Sequence, residues 1–251
     1  MLTDFKVKDD NKMDIKTYKK DAEYSYTLGA FPTIELLKTR PTEVLEVYVH
    51  STFKDIETIE TLTKPYHIPI IYQDKVIHKL SDKENCFVIG VLKKYRDILS
   101  KEQSHIVLVN PSNMGNMGTI IRTAIGFGIK NLAIISPGVD VFHPKTIRAS
   151  MGALFRINCQ YFNDFEEYKT LYPEHEIFCF MLNANQQLTI DSCPKPNLFS
   201  LVFGNEATGL DDSYLQVGTS VIIPQSKEVD SLNITIAAGI GMYLFTQNYT
   251  K

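Results

Sequence analysis

Five polar residues stand where an apolar run has just ended or a helix is about to begin: Asn116, Arg122, Glu206, Ser231 and Asn233. Arg122 lies in Asn110-Pro-Ser-Asn-Met-Gly-Asn-Met-Gly-Thr-Ile-Ile-Arg122, a turn-rich stretch that becomes apolar and periodic. A guanidinium stays charged at any working pH and offers five donors, which suits a phosphate or an oxygen developing negative charge. Gly118, Arg122 and Gly126 fall four apart and share one stripe of a helix, so the arginine should stand beside open space where something else docks. Glu206 follows the buried run Leu201-Val-Phe-Gly204, at the carboxyl edge where open α/β sheets take ligands. Ser231 opens the last helical stretch and Asn233 sits in its first turn, where asparagine adds little to a helix. Each residue also has a bland use: a solvated arginine, a solvated glutamate at a turn, a plain helix cap. The stretch is not a dinucleotide fingerprint, because Gly-x-Gly-x-x-Gly is absent, nor a P-loop, because no Gly-Lys-Ser/Thr follows.

The elements that must hold these residues are those of a βαβ unit. His105–Val109 and Leu132–Ile135 read as strands. Between them runs a helix from about Gly118, capped by Asn116, with Ile120, Ile121, Ala124 and Ile125 as its buried face. Glu176–Leu182, Leu198–Phe203 and Ser220–Ile223 are further short apolar runs, and Leu232–Phe245, with an apolar stripe at Ile236, Gly239/Ile240 and Tyr243, reads as a long helix. Upstream lies a smaller α/β unit. It has a short helix within Leu28–Arg40, a strand Val44–Val49, a helix Asp55–Leu62, a strand Ile68–Tyr72 followed by the apolar segment Val76–Leu80, and a strand Phe87–Leu92. Residues 1–24 read as a loosely held arm and Asp97–Gln103 as a polar linker, giving domains of 1–98 and 104–251.

Composition narrows the class. The 251 residues are 44% hydrophobic and 22% charged, as in an ordinary soluble protein. No apolar run approaches the ~20 residues of a membrane helix, and Met1–Lys20 lacks the apolar core of a secretory signal. The four scattered cysteines fit inert thiols in a reducing cytoplasm, and the six histidines lack metal-ligand spacing, so no metal is expected. With a net charge of −3, any nucleic-acid partner must meet local positive charge or be read by shape.

Taken together, Asn116-Met-Gly-Thr-Ile-Ile-Arg122, Phe203-Gly-Asn-Glu206 with Gly209-Leu210, and Ile223-Pro224 with Ser231-Leu-Asn233 resemble, in order and spacing, the three motifs of the SpoU (TrmH) family of RNA methyltransferases in the α/β-knot superfamily. Leu28-Gly-Ala-Phe and Ile34-Glu-Leu-Leu-Lys38 are similar to the small substrate-binding domain that precedes many members. The resemblance implies an α/β fold: a C-terminal parallel-sheet domain with a deep trefoil knot, preceded by a small α/β RNA-binding domain, working as a homodimer. It implies S-adenosylmethionine as methyl donor, held by Gly204, Ile223 and Leu232 with help from Leu182 and Asn183. The implied reaction is methylation of a ribose 2′-hydroxyl in structured RNA, ribosomal RNA before transfer RNA. Arg122 would place the target phosphate and stabilise the alkoxide, Asn116 and Asn233 would orient ribose and cofactor, Glu206 would accept from Arg122 or Asn116, and Ser231 would fix the cofactor-side loop. Lys38, Arg40, Arg148 and Ser150 are weaker candidates for RNA contacts, beside the reading of ordinary surface residues. A non-catalytic RNA-binding or ribosome-assembly protein on the same fold, and a base-directed methyltransferase, remain the competing classes.

Overall fold

The computed structural model describes residues 15–247. Its first sheet is built from β1 (Tyr24–Leu28), β2 (Val44–Val49), β3 (Ile70–Tyr72) and β4 (Val88–Lys93), in the order β1-β4-β2-β3, with helices α1 (Ala30–Thr39), α2 (Ile56–Thr63) and α3 (Asp74–Leu80) between. The second sheet has seven strands: β5 (His105–Val109), β6 (Asn131–Ile135), β7 (Asn158–Phe162), β8 (Glu176–Phe180), β9 (Gln186–Gln187), β10 (Phe199–Phe203) and β11 (Thr219–Ile222). They run in the order β7-β6-β5-β10-β8-β11-β9, and every pairing is parallel. Helices α4 (Met114–Gly126), α5 (Pro144–Ala149), α6 (Phe165–Leu171) and α7 (Ile234–Thr246) accompany it. Strands buried on both faces read as continuous apolar runs, as β5, β6 and β10 do.

Several elements differ from the reading of the sequence. The expected arm ends in a strand: β1 pairs antiparallel with β4. It is hard to see in sequence because polar Ser25 and Thr27 face inward, where Ser25 donates to the Phe142 carbonyl and Thr27 meets Thr33 at 2.7 Å. Residues 15–23 are tied down as well, with Ile15 buried and Tyr18 donating to Asp140; the arm's first 14 residues lie outside those described. The segment Val76–Leu80 is the end of α3, which buries Val76 and Ile77 and turns His78 and Lys79 outward. β7 and α6 were not foreseen. The expected stripe of α7 is its outer face: Ile236 and Tyr243 are 53% and 51% exposed, while Ala238, Gly241, Met242 and Phe245 go inward. Gly241 sets that choice, since a Cβ there would come within 2.6 Å of the Phe180 ring.

The two sheets are fastened together. Asp97, at the start of the expected linker, accepts from Arg40 Nη2 at 3.0 Å, and Leu99 is buried. Arg156 pairs with Glu35, and Lys94 with Asp140. Gly152 has φ 79°, and a Cβ there would lie 2.7 Å from that of Glu35, so only glycine lets α1 approach.

Candidate active site

The first motif is held by an asparagine the sequence reading passed over. Asn113, not Asn116, caps α4, its Oδ1 accepting from Gly115 N at 2.8 Å and Asn116 N at 3.1 Å. The helix therefore begins at Met114, and the Asn116 side chain is left for another task. Its Nδ2 donates to Glu206 Oε1 at 3.3 Å.

Glu206 closes the amino end of α4. Its Oε2 accepts from Ser112 N at 2.9 Å and Ser112 Oγ at 2.7 Å, and its Oε1 also accepts from Asn113 N at 3.0 Å. Burial opposes the charge, but these bonds outweigh it and hold the carboxyl below its ordinary range. The positive end of the helix macrodipole acts in the same sense. A second stitch runs from Asn205 Nδ2 to the Asn110 carbonyl at 2.7 Å. Around it, Asn205 and Gly209 exchange backbone hydrogen bonds of 3.2 and 2.9 Å. A Cβ on Gly204 would lie 2.1 Å from the Gly209 carbonyl carbon, so this tight return of the chain requires glycine.

Beside that loop opens a cleft of about 390 Å³ at the carboxyl ends of β8, β10 and β11. All five residues expected to hold a cofactor line it: Leu182, Asn183, Gly204, Ile223 and Leu232. Glu206 and Ser231 do so too. Phe180 and Phe203, also in the lining, stack at 4.3 Å between centroids, 26° from parallel. Asn233 proves to be the cap of α7, accepting from Thr235 N at 2.8 Å and Thr235 Oγ1 at 2.7 Å, so the helix starts three residues after Ser231. Its Oδ1 is thus engaged in the helix.

Arg122 stands apart. It is exposed on α4, is not among the residues lining the cleft, and has no hydrogen-bond or ion-pair partner among the described residues. Glu206 is bound by Asn116 and not by Arg122. The stripe around Arg122 is only half open. At Gly118 a Cβ would meet that of Ala149 at 2.5 Å, so α5 closes that end, whereas Gly126 has nothing within 4 Å.

Of the residues offered for RNA, Lys38 faces solvent near Glu35, and Arg148 is half-buried in the last turn of α5. Arg40 is committed elsewhere: it pairs with Asp97, donates Nε to the Phe155 carbonyl and lies 4.5 Å above the Tyr95 ring. Ser150 is wholly buried, its Oγ donating to the Ile147 carbonyl at 2.8 Å, and does not face an RNA chain. Ser112, Asn113 and Asn205 were missed. A second asparagine three residues before Asn116, two before a glycine, was the available signal for the cap.

No helix among the described residues is long and apolar enough to cross a membrane, and no group of three or more His, Cys, Asp or Glu among them could hold a metal ion. A parallel α/β sheet with a glycine-lined cleft at its carboxyl edge is the setting of a ligand-binding α/β enzyme. Residues 103–243, more than half the chain, match the model of the SpoU rRNA Methylase family, and the chain belongs to that family. An uncharacterized tRNA/rRNA methyltransferase of Synechocystis is 31% identical over 143 residues, covering 55% of this chain and 51% of that protein. The chain thus spans about half the length of that relative. A Bacillus subtilis 23S rRNA (guanosine(2553)-2′-O)-methyltransferase is 23% identical over 95% of this chain and 94% of its own. Among solved structures, an AdoMet-bound rRNA methyltransferase from Sinorhizobium meliloti has a TM-score of 0.77 and 21% identity, covering 91% of this chain and 89% of that one. The AdoMet complex of the SpoU methyltransferase AviRb from Streptomyces viridochromogenes has a TM-score of 0.79 at 18% identity, covering 90% and 91%. At these identities the likeness is one of fold.

Proposed function

We propose that this protein transfers a methyl group from S-adenosylmethionine to a ribose 2′-hydroxyl in structured RNA, with ribosomal RNA as the substrate. One observation carries the reading. Segments 203–210 and 223–233 line one cleft, and Glu206, in that lining, ties segment 110–122 to its edge. The cleft fits the donor, because its apolar floor of Phe180, Phe203 and Val221 suits an adenosyl group and its glycine-bearing walls present backbone donors and acceptors. Leu182, Asn183, Gly204, Ile223 and Leu232 would hold it. Bound there, the cofactor supplies a methyl on a sulfonium that needs little further activation.

The weakly acidic hydroxyl is the harder partner, and it falls to the protein to orient it and stabilise its developing charge. Arg122 is assigned that work, together with placement of the target phosphate. Asn116, fixed by Glu206, would orient the ribose. Ser231 and the Asn233 cap would set the cofactor-side loop. The RNA 2′-O-methyltransferase names of relatives that cover most of the chain support this reading.

Arg122 lying outside the cleft supports a dimeric arrangement. On α4, Thr123 lies next to α7, where a Cβ on Gly239 would be 3.8 Å from its Cγ2, and Phe127 meets Tyr243 at 6.3 Å. The exposed Ile236–Tyr243 stripe flanks that pair of helices. A second copy docked on the stripe would bring Arg122 to a cleft, giving a homodimer. Residues 1–98 are assigned to RNA binding and 104–251 to methyl transfer, with the chain after β11 threaded as a knot and the enzyme working in the cytoplasm.

Calorimetry with S-adenosylmethionine, followed by nucleoside analysis of methylated ribosomal RNA, tests the reaction. A 2′-blocked nucleotide resistant to alkaline cleavage is expected. A methylated base, or no cofactor binding, would overturn the reading, and modification confined to transfer RNA would move the substrate. For assembly, Ile236→Asp is expected to convert a dimer to monomer by light scattering.

A further inference from the structure

Two carboxylates, Glu206 and Asp212, line the cleft, and among the described residues no lysine, arginine or histidine does. Their oxygens differ in what they still have to do. Each oxygen of Glu206 already accepts two hydrogen bonds. Asp212 is half used: its Oδ1 accepts from Asn183 Nδ2 at 2.8 Å, and its Oδ2 has no hydrogen-bond partner among the described residues. The chain has adjacent aspartates here, and the first does the local structural work. Asp211 accepts from Ser213 N at 2.9 Å and from Ser213 Oγ, capping the short turn that follows. Asp212 is thereby released toward the cleft, and Asn183, itself in the lining, holds it there.

We infer that Asp212, positioned by Asn183, recognises the ammonium group at the methionyl end of the cofactor. The inference rests on the reading above that the cleft takes S-adenosylmethionine. The cofactor has one flat, weakly polar end and one charged end, and the cleft lining offers both apolar rings and a carboxylate. Phe180, Phe203 and Val221 form its apolar part, while Asp212 is exposed at its rim. An ammonium carries three donors, and a carboxylate with a free oxygen complements it. The sulfonium has no N–H and gains no such bond. Glu206, saturated by the α4 end, is left to hold the substrate-side loop. The cleft therefore divides its two negative charges between fastening protein and binding ligand.

Calorimetry on the full chain tests this with three probes: S-adenosylmethionine, S-adenosylhomocysteine, and 5′-methylthioadenosine, which keeps the adenosyl thioether and lacks the amino acid. Asp212→Asn preserves shape and the contact with Asn183. It is expected to weaken the first two by about five- to tenfold, the size of an exposed charge-assisted hydrogen bond, and the third by less than about twofold. Asn183→Ala, which frees the carboxylate to swing, should show the same selectivity at about two- to threefold. Unchanged affinity for all three probes would overturn the inference. So would an equal loss for all three, which would assign Asp212 to the ribose hydroxyls or to the fold. Failure of the unsubstituted protein to bind S-adenosylmethionine would overturn this inference and the methyltransferase reading together, whereas normal binding there with an unselective Asp212→Asn overturns this inference alone.

Discussion

The two ends of the large sheet carry polar clusters of similar size and opposite character. At the amino ends of β5 and β10, His105 is fully buried, its Nδ1 2.9 Å from Tyr168 Oη and its Nε2 2.8 Å from the Ser100 carbonyl. Tyr168 Oη also lies 2.6 Å from Ser200 Oγ, which His175 Nδ1 meets at 3.0 Å. The rings of the two histidines are 4.3 Å apart. At the carboxyl ends, Glu206, Asn116, Ser112 and Asn205 are as thoroughly bonded, but they border an open cleft and an exposed arginine. Burial makes the first cluster part of the core, although His175 Nε2 is left without a hydrogen-bond partner there. The second cluster spends its bonds on holding loops in place and leaves Arg122 and one oxygen of Asp212 unspent. What distinguishes the ends is which groups reach solvent: His105 and His175 are buried, whereas Arg122 and Asp212 are exposed.

The comparison breaks most visibly at Arg122. Arg122→Ala should lower the methyl-transfer rate by about a thousandfold, in line with loss of one preorganised charge-stabilising group, while S-adenosylmethionine affinity and melting temperature stay near those of the parent. Single-turnover kinetics beside calorimetry would separate the two effects. Turnover near the parent rate would remove the arginine from the chemistry. Next in size is Glu206→Ala. It strips acceptors from Ser112 N, Asn113 N and Asn116 Nδ2 and loosens the lip of the cleft. A stability loss of about 1–3 kcal/mol is expected by denaturant titration, together with weaker cofactor binding. A change in stability with cofactor affinity intact would make Glu206 a brace for the fold and nothing more.

How far these features were legible differs residue by residue. The three segments could be matched in sequence because glycines and polar residues interrupt apolar strands at fixed places. The physical need is visible at Gly204, where a side chain cannot fit. The caps were misplaced because Asn113 and Asn116, like Ser231 and Asn233, are all good capping types within one turn. What decided between the first two was the bond from Asn116 to Glu206, ninety residues away along the chain. β1 was hidden because Ser25 and Thr27 point inward and find partners only once α1, β4 and the loop before α5 have come together. The buried face of α7 was settled by Phe180 seated on Gly241, a contact that no periodicity of α7 contains. Arg40 and Ser150 were offered to RNA because a charge and a loop hydroxyl usually face water, and their burial or pairing depends on how the two sheets meet.

The smallest effect sharpens the contrast from the histidine side. Burial lowers the pKa of His105 to about 3, with the neighbouring His175 pushing the same way, and burial lowers that of His175 as well. Both groups are therefore neutral in the folded chain, while their unfolded counterparts take up a proton near pH 6.5. Because the unfolded state binds more protons below that value, this contribution to stability is complete above about pH 6.5 and is lost as the pH falls toward the folded pKa. At pH 5.5 the loss from His105 should be on the order of 1 kcal/mol relative to pH 8. Denaturant titrations at the two pH values would measure it. His105→Gln cannot take the proton, so even if it is less stable at both pH values its difference between them should be smaller by about that amount. An undiminished difference in His105→Gln would show that the amino-end cluster is not what senses acid, and the division between a sealed end and an open end would lose its energetic basis.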